Sequence, residues 1–335
     1  MADRAKPKGL FVLSEGNHKL LYALGTDEAI GELVNLVGER QDAESVVANC
    51  PQLADVELLF TGWGAPTLDE AFLAAAPKLK VVFYGAGSVR GMVTDASWDR
   101  GVRIVSAWAA NAVPVIEYTF AQIILGLKLT WHLVREQRRE GAWNRSLPVF
   151  GANGSTVGII SLGKIGRGVC ERLKQLDVNV IAYDPFVAPA DAAALGGDLV
   201  SLEEVFARAD VVSLHTPNLP ETRGLITGAH LASMKPYATF INTARGAVVR
   251  EDDMIDVLQD RPDLMAVLDV TDPEPPAEGS PLWSLANVVL TPHIAGAMGG
   301  ECARMGWLMA DELKRYLAGE PLAHEITREQ AAKLA

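Results

Sequence analysis

Three side chains in the second half of the chain have types suited to work on a small organic acid. Arg245 follows the run Thr239-Phe240-Ile241-Asn242, Glu274 follows the run ending in Leu268-Asp269-Val270, and His293 follows Val288-Val289-Leu290. A guanidinium can grip a carboxylate and its neighbouring carbonyl through two forked hydrogen bonds. An imidazole titrates near neutral pH and can give or take a proton. A carboxylate beside that imidazole fixes its tautomer and favours its charged form. Taken singly, each has a plainer reading. Arg245 reads equally as a surface cation, Glu274-Pro275 as a turn, and His293 as a core histidine or helix cap. Their shared placement just beyond apolar runs is what gives them weight.

A second signal lies upstream. Residues 154–185 read GSTVGIISLGKIGRGVCERLKQLDVNVIAYDP. An apolar run enters Ser161-Leu162-Gly163-Lys164-Ile165-Gly166, a helix-like stretch follows, and a second run ends in Asp184. This is the G-x-G-x-x-G dinucleotide pattern with serine in its first position. Gly163 lets backbone approach a pyrophosphate, and Gly166 lets helix and strand pack closely. The helix start at Lys164 and Ile165 offers free N–H groups to an anion. Asp184 is placed to accept both ribose hydroxyls and to repel a 2′-phosphate, so NAD is expected over NADP. Ser161 must adopt a tight turn that glycine enters more easily. A small local adjustment is expected there.

Set beside a nicotinamide dinucleotide, the three residues complete a chemistry. Reducing a 2-keto acid needs a hydride donor, a carboxylate anchor and a proton donor. Arg245 suits the anchor, His293 the proton, and Glu274 the support of His293. Asp269 suits contact with the nicotinamide carboxamide or charge balance.

The elements that would position these residues are strands alternating with helices, the pattern of parallel α/β folds. Strands are expected at 9–13, 56–61, 80–84 and 102–106. A second set is expected at 156–161, 179–184, 211–215, 239–243, 264–270 and 287–290, six strands as in a doubly wound dinucleotide fold. Ligands in open α/β sheets bind beyond the carboxyl ends of strands, where Arg245, Glu274 and His293 fall. Ser201 and Glu204 make a capping box. Residues 250–258 read as a helix with an acidic start. A last long helix is expected over 300–317, ending at Gly319-Glu320-Pro321. Residues 113–140 and 296–300 are the expected seams, and packing together of the two chain ends would make the first domain discontinuous.

Bulk properties narrow the function. The 335 residues suggest two domains, and 49% apolar with 21% charged residues gives no sign of disorder. A net charge of −12 gives no support to nucleic-acid or membrane binding. The three cysteines, Cys50, Cys170 and Cys302, are scattered and odd in number, so neither a disulfide framework nor a metal cluster is expected. The apolar stretch 113–134 contains Glu117, Gln122, Lys128 and His132 and reads as one buried helix. No signal-peptide pattern is apparent near the start, and a soluble cytoplasmic protein is expected.

The chain resembles the D-isomer-specific 2-hydroxyacid dehydrogenase family over nearly its whole length. The matching segments are VGIISLGKIGRGV with Asp184, VVSLHTPNLPETRGLI, MKPYATFINTARGAVVREDDMIDVL, LDVTDPEP and LTPHIAG. The resemblance implies that Arg245, Glu274 and His293 are catalytic and that Asp269 helps seat the nicotinamide. It places His215, Thr216, Thr243, Ala244 and Gly296 among the cofactor contacts. It implies a Rossmann NAD-binding domain over 113–298. A smaller flavodoxin-like α/β substrate domain would span 1–112, with 299–335 packed back onto it and a cleft between the two. Backbone N–H groups of Ala86 and Gly87, in the loop Tyr84-Gly85-Ala86-Gly87-Ser88, would bind the substrate carboxylate.

The chain departs from the family at Ser88-Val89-Arg90, where many members have an Asp- or Asn-containing stretch, and at Thr271, where an aromatic is frequent. Arg90 is expected either to add a second cation for a larger acid or to serve the surface. Trp63 and Trp108 are read as core aromatics or as walls of the cleft. A homodimer through the cofactor domain is implied, with 113–134 and Arg139-Glu140-Gly141-Ala142-Trp143 at its interface. The expected reaction joins NAD(H) to a D-2-hydroxy acid and its 2-keto acid. A phosphite-type dehydrogenase and an NADH-sensing corepressor-like protein remain alternatives on the same scaffold. The short segment after the last long helix is read as too small for an effector domain.

Overall fold

The computed structural model describes residues 5–333 apart from Ala142 and Asn144. Ala142, in the stretch expected at a dimer interface, therefore lies outside the described residues. The chain divides into two compact units. One runs to Asn111 and takes in the stretch from Ala297 onward; the other is Ala112–Gly296.

The strands in chain order are β1 (Lys8–Phe11), β2 (Asn35–Leu36), β3 (Leu58–Thr61), β4 (Val81–Tyr84), β5 (Arg103–Ser106), β6 (Thr156–Ile160), β7 (Asn179–Tyr183), β8 (Gly197–Leu199), β9 (Val211–Leu214), β10 (Thr239–Asn242), β11 (Met265–Leu268), β12 (Val288–Leu290) and β13 (Glu325–Ile326).

In the first unit the order is β13-β5-β4-β3-β1-β2. The five N-terminal strands are parallel in the flavodoxin-like order, and β13 adds an antiparallel edge. The core on one face joins Phe11, Leu21, Phe60 and Phe83 to Met305, Met309 and Leu313 of the helix Ala303–Ala318. Residues from both ends of the chain thus build one core. That helix follows a 3-10 turn, Gly299–Cys302, and stops at Gly319 in the left-handed conformation, as its Gly-Glu-Pro sequence predicts.

In the second unit the order is β12-β11-β10-β9-β6-β7-β8, all parallel. This is the doubly wound Rossmann arrangement with one strand added beyond its sixth. Buried strands of a parallel sheet read as continuous apolar runs because both faces are covered. Ile159, Val211, Ile241 and Val267 go to one face and Ile160, Val212, Phe240 and Leu268 to the other, the period-two alternation of a pleated sheet.

Among the described residues the sheet has seven strands, against the six expected from sequence. The missing one is β8, whose Gly-Asp-Leu carries no apolar run and sits at an edge. The long apolar stretch also differs from its expected form. It is two helices, Trp108–Leu127 and Thr130–Glu140. They are separated at Leu129, whose φ of 50° is left-handed and whose side chain is fully buried. Burying a leucine side chain gains about 2 kcal/mol, which offsets a left-handed strain of about 1–2 kcal/mol. By length and apolarity Trp108–Leu127 passes the test for a membrane span, yet half of the tested window is buried inside the structure. The three cysteines are buried free thiols.

Gly306 shows how tightly the C-terminal helix seats. A Cβ there would lie 1.9 Å from Leu21 O. Gly306→Ala is expected to cost about 3 kcal/mol, seen as a lower urea midpoint at unchanged m-value. An unaltered midpoint would contradict this packing.

Candidate functional site

The glycine-rich turn begins where β6 ends. Ser161 takes a φ of 74°, the left-handed region that glycine enters without penalty. The serine compensates by pairing its Oγ with Thr216 Oγ1 at 2.8 Å. Its N–H also donates to Tyr183 O at 2.8 Å. The local adjustment expected from sequence is this hydroxyl pair. Gly166 is required by contact, since a Cβ would fall 2.1 Å from Ser161 O. Gly163, by contrast, is exposed and faces open space, with no described atom beyond its chain neighbours within 4 Å of a Cβ position. It caps the ten-residue helix Lys164–Leu173. The first-turn amides of Lys164, Ile165 and Gly166 have no partner within the helix and suit an anion.

Asp184 stands at the end of β7, half-buried. Its Oδ2 accepts from Leu162 N and its Oδ1 from Phe186 N, both at 2.8 Å. A carboxylate has about four acceptor sites, so each oxygen keeps one for a ribose hydroxyl. At the end of β9, Thr216 is buried and paired with Ser161. His215 bonds Ser213 Oγ through Nε2 at 3.0 Å, while its Nδ1 is buried without a partner. Burial pushes the His215 imidazole down to about 4. An open glycine, free helix-start amides, a strand-end carboxylate and an orphaned ring nitrogen fit a dinucleotide.

The second cluster lies at the carboxyl ends of β10, β11 and β12. These are neighbours with Asn242, Leu268 and Leu290 in register. Parallel strands lie about 4.8 Å apart, so three consecutive ends place their following loops side by side. Asn242, buried, shapes the first loop by accepting from Ala244 N at 3.0 Å and donating to Arg245 O at 3.1 Å. Thr243, also buried, pairs with Thr119 Oγ1 at 3.0 Å. Arg245 is half-buried, with Nη1 donating to Ala244 O at 2.6 Å. At Gly246 a Cβ would fall 2.0 Å from the carbonyl carbon of Thr271. The loop carrying Arg245 and the loop leading to Glu274 therefore touch backbone to backbone.

His293 Nδ1 lies 2.6 Å from Glu274 Oε1, and both side chains are a little under half exposed. The His293 backbone is left-handed, with φ 52°. Asp269 is almost wholly buried. Ile294 N and Ala295 N donate to it at 2.8 Å and Thr291 Oγ1 at 2.6 Å. A cavity of about 650 Å³ adjoins this cluster, lined by Glu274, His293, Asp269, Leu285 and Trp283. Gly296 closes the second unit.

In the first unit, Ala86 is buried and Gly87 half-buried, after the end of β4. Ser106 Oγ lies 3.0 Å from Ala86 O and 2.6 Å from Gly87 O. Among the described residues neither the Ala86 nor the Gly87 amide has an acceptor. Arg90 was expected either as a second cation for a larger acid or as a surface group. It is exposed, and its Nη2 donates to Ala332 O at 2.8 Å, in the last turn of the helix Arg328–Lys333. Trp63 and Trp108 are half-buried against the core beside β4.

Sequence reading missed Asn242, Ser213, Tyr118 and Thr291. The first two are ordinary strand residues to the eye. Tyr118 lies in an apolar helix, 173 residues from the Thr291 hydroxyl it meets.

A profile described as D-isomer specific 2-hydroxyacid dehydrogenase, NAD binding domain, matches residues 122–295. The D-3-phosphoglycerate dehydrogenase of Mycobacterium tuberculosis is 37% identical over 303 residues, 89% of this chain and 56% of that protein. The chain thus spans a little over half the length of this relative. The (S)-sulfolactate dehydrogenase of Chromohalobacter salexigens is 34% identical over 75% of this chain and 81% of that protein. In fold, the D-mandelate dehydrogenase of Rhodotorula graminis superposes with a TM-score of 0.79 at 23% identity, over 96% of this chain and 98% of that one.

The buried histidines make stability depend on pH in a definite sense. His215 holds its proton only below about 4, against an ordinary value near 6.5, so the unfolded chain binds protons that the folded one refuses. Burial also lowers His18, His132 and His230. Stability from these groups is complete above about pH 6.5 and is lost as pH falls toward 4. Urea midpoints are expected to drop between about pH 7 and 5, and His215→Gln should make the drop shallower. A midpoint flat over that interval would exclude the effect.

Proposed function

This chain belongs to the D-isomer specific 2-hydroxyacid dehydrogenase family, and we propose that it transfers a hydride reversibly between NAD(H) and a D-2-hydroxy acid/2-keto acid pair. The observation that carries this reading is the 2.6 Å contact of His293 with Glu274 on the strand end next to the one that presents Arg245.

The second unit is assigned the cofactor and the first the substrate. Lys164, Ile165 and Gly166 would hold the pyrophosphate at their helix start, Asp184 the ribose, and His215, Thr216, Thr243, Ala244 and Gly296 the remainder. Bound NADH supplies the hydride. Arg245 grips the keto acid's carboxylate and draws electron density from the carbonyl oxygen. His293 delivers the proton to that oxygen. Glu274 holds the ring by Nδ1, leaving Nε2 for the substrate, and offsets the imidazolium charge when the reaction runs toward the keto acid. The amides of Ala86 and Gly87, without an acceptor among the described residues, are assigned to the first unit's contact with the substrate.

The relatives named for D-3-phosphoglycerate and (S)-sulfolactate make phosphorylated and sulfonated acids part of any substrate panel, beside glyoxylate, hydroxypyruvate, pyruvate and phenylpyruvate. We also assign a homodimer through the second unit. It is supported by the half-exposed apolar edge strand β12 and by exposed Ile124 and Trp143. Three unpaired buried thiols support a reducing, cytoplasmic setting.

His293→Ala should lower turnover of the best acid by roughly 10²–10⁴ with NADH binding intact. Retention of near wild-type turnover would remove the assignment. Asp184→Ala should weaken NADH and narrow its preference over NADPH, measured by fluorescence titration; an unchanged ratio would show that Asp184 does not read the ribose.

A further inference from the structure

We propose that Tyr118, Thr291 and Asp269 form a positioning chain that holds the turn bearing His293 in its strained shape and so aims the imidazole. The inference rests on the reading of His293 as the proton-transfer group.

The direction of each hydrogen bond follows from chemistry. An ionised carboxylate only accepts. Thr291 Oγ1, 2.6 Å from Asp269 Oδ1, must therefore spend its one proton there. Its oxygen is then left to accept from Tyr118, whose Oη is 3.1 Å away. The chain runs one way, from Tyr118 O–H to Thr291 to Asp269. Beyond Asp269 it divides. Oδ1 also receives Ile294 N–H and Oδ2 receives Ala295 N–H, both at 2.8 Å. These are the two amides that directly follow His293.

His293 itself needs such a clamp. With φ 52° it occupies a region that non-glycine residues enter sparingly, and such strain persists only where the surroundings over-determine it. Its own N–H is spent on Asp269 O and Thr291 O, both at 3.0 Å. Backbone and side chain of Asp269 thus fix both sides of one left-handed residue. The half-exposed imidazole has Glu274 as its one observed side-chain partner. If the turn relaxes, Glu274 is the one side-chain contact among the described residues left to hold the ring.

Asp269 is buried with no cation among its observed partners. Removing the Thr291 proton leaves the carboxylate with two donors in place of three, in a site closed to water, and the clamp on Ile294 and Ala295 loosens. Tyr118 is the outer link. Its loss frees the Thr291 hydroxyl to rotate but leaves that hydroxyl able to donate.

Thr291→Val keeps the shape and removes the proton; Thr291→Ser keeps the proton; Tyr118→Phe removes the outer link together with the hydroxyl's contact to Gln122. Deuterium uptake in the segment holding Ile294 and Ala295 is expected to quicken in Thr291→Val, to stay near wild type in Thr291→Ser, and to fall between in Tyr118→Phe. On a keto acid that the wild type reduces, Thr291→Val should lose about 10- to 100-fold in kcat per NADH-binding site. KM and NADH affinity should stay within about twofold. Wild-type uptake in Thr291→Val would overturn the proposal. So would parallel losses of kcat and NADH affinity, which mark a general loosening. A wild-type enzyme that reduces no keto acid would sink the functional reading alone, because the uptake comparison needs no turnover.

Discussion

A carboxylate closed off from water must find its donors inside the protein, and at Asp269 those donors are two consecutive amides and a threonine hydroxyl. The requirement acts on everything around it. The backbone after β12 must bend sharply to bring Ile294 and Ala295 onto the two oxygens, and that bend forces His293 into a left-handed conformation. The imidazole is thereby thrown outward to within 2.6 Å of Glu274. Seen this way, the catalytic candidate and the buried acid are two ends of one electrostatic arrangement. The burial that makes the carboxylate demanding also makes the turn rigid.

The parallel sheet supplies the rest of the convergence. Because β10, β11 and β12 run the same way in register, their loops emerge at one edge, and no long-range search is needed to bring Arg245, Glu274 and His293 into one neighbourhood. Gly246 closes the last gap by letting two loop backbones meet. At the other end of the same edge, Ser161 shows that the glycine-rich turn tolerates a side chain when a hydroxyl partner such as Thr216 is at hand.

Much of this was legible in the sequence, for reasons that differ by residue. Six strands of the second sheet announced themselves as apolar runs, five of them interior strands with both faces covered and the sixth the half-exposed edge strand β12. β8 did not, since an edge strand of Gly-Asp-Leu has no such pressure on its composition. Arg245, Glu274 and His293 were visible because charge immediately after an apolar run is unusual. Their supports were not. Asn242, Thr291 and Tyr118 act through contacts set by the fold, and nothing in a local window distinguishes a threonine that donates to a buried acid from one on a surface. The break at Leu129 was hidden for a similar reason, because only the tertiary core rewards a leucine for leaving the helix. One contact of Arg90, with the Ala332 carbonyl 242 residues away, likewise had no local signal.

The first unit takes its core from both ends of the chain, and this orders events on the ribosome. Phe11, Leu21, Phe60 and Phe83 are made early, but Met305, Met309 and Leu313, which cover them, emerge only after the whole second unit has been synthesised. Ala112–Gly296 can complete its own sheet without waiting. The N-terminal sheet must hold an uncovered apolar face throughout that interval, the stage at which nascent chains are most prone to aggregate. Any delay in translating Ala303–Ala318 lengthens that exposure.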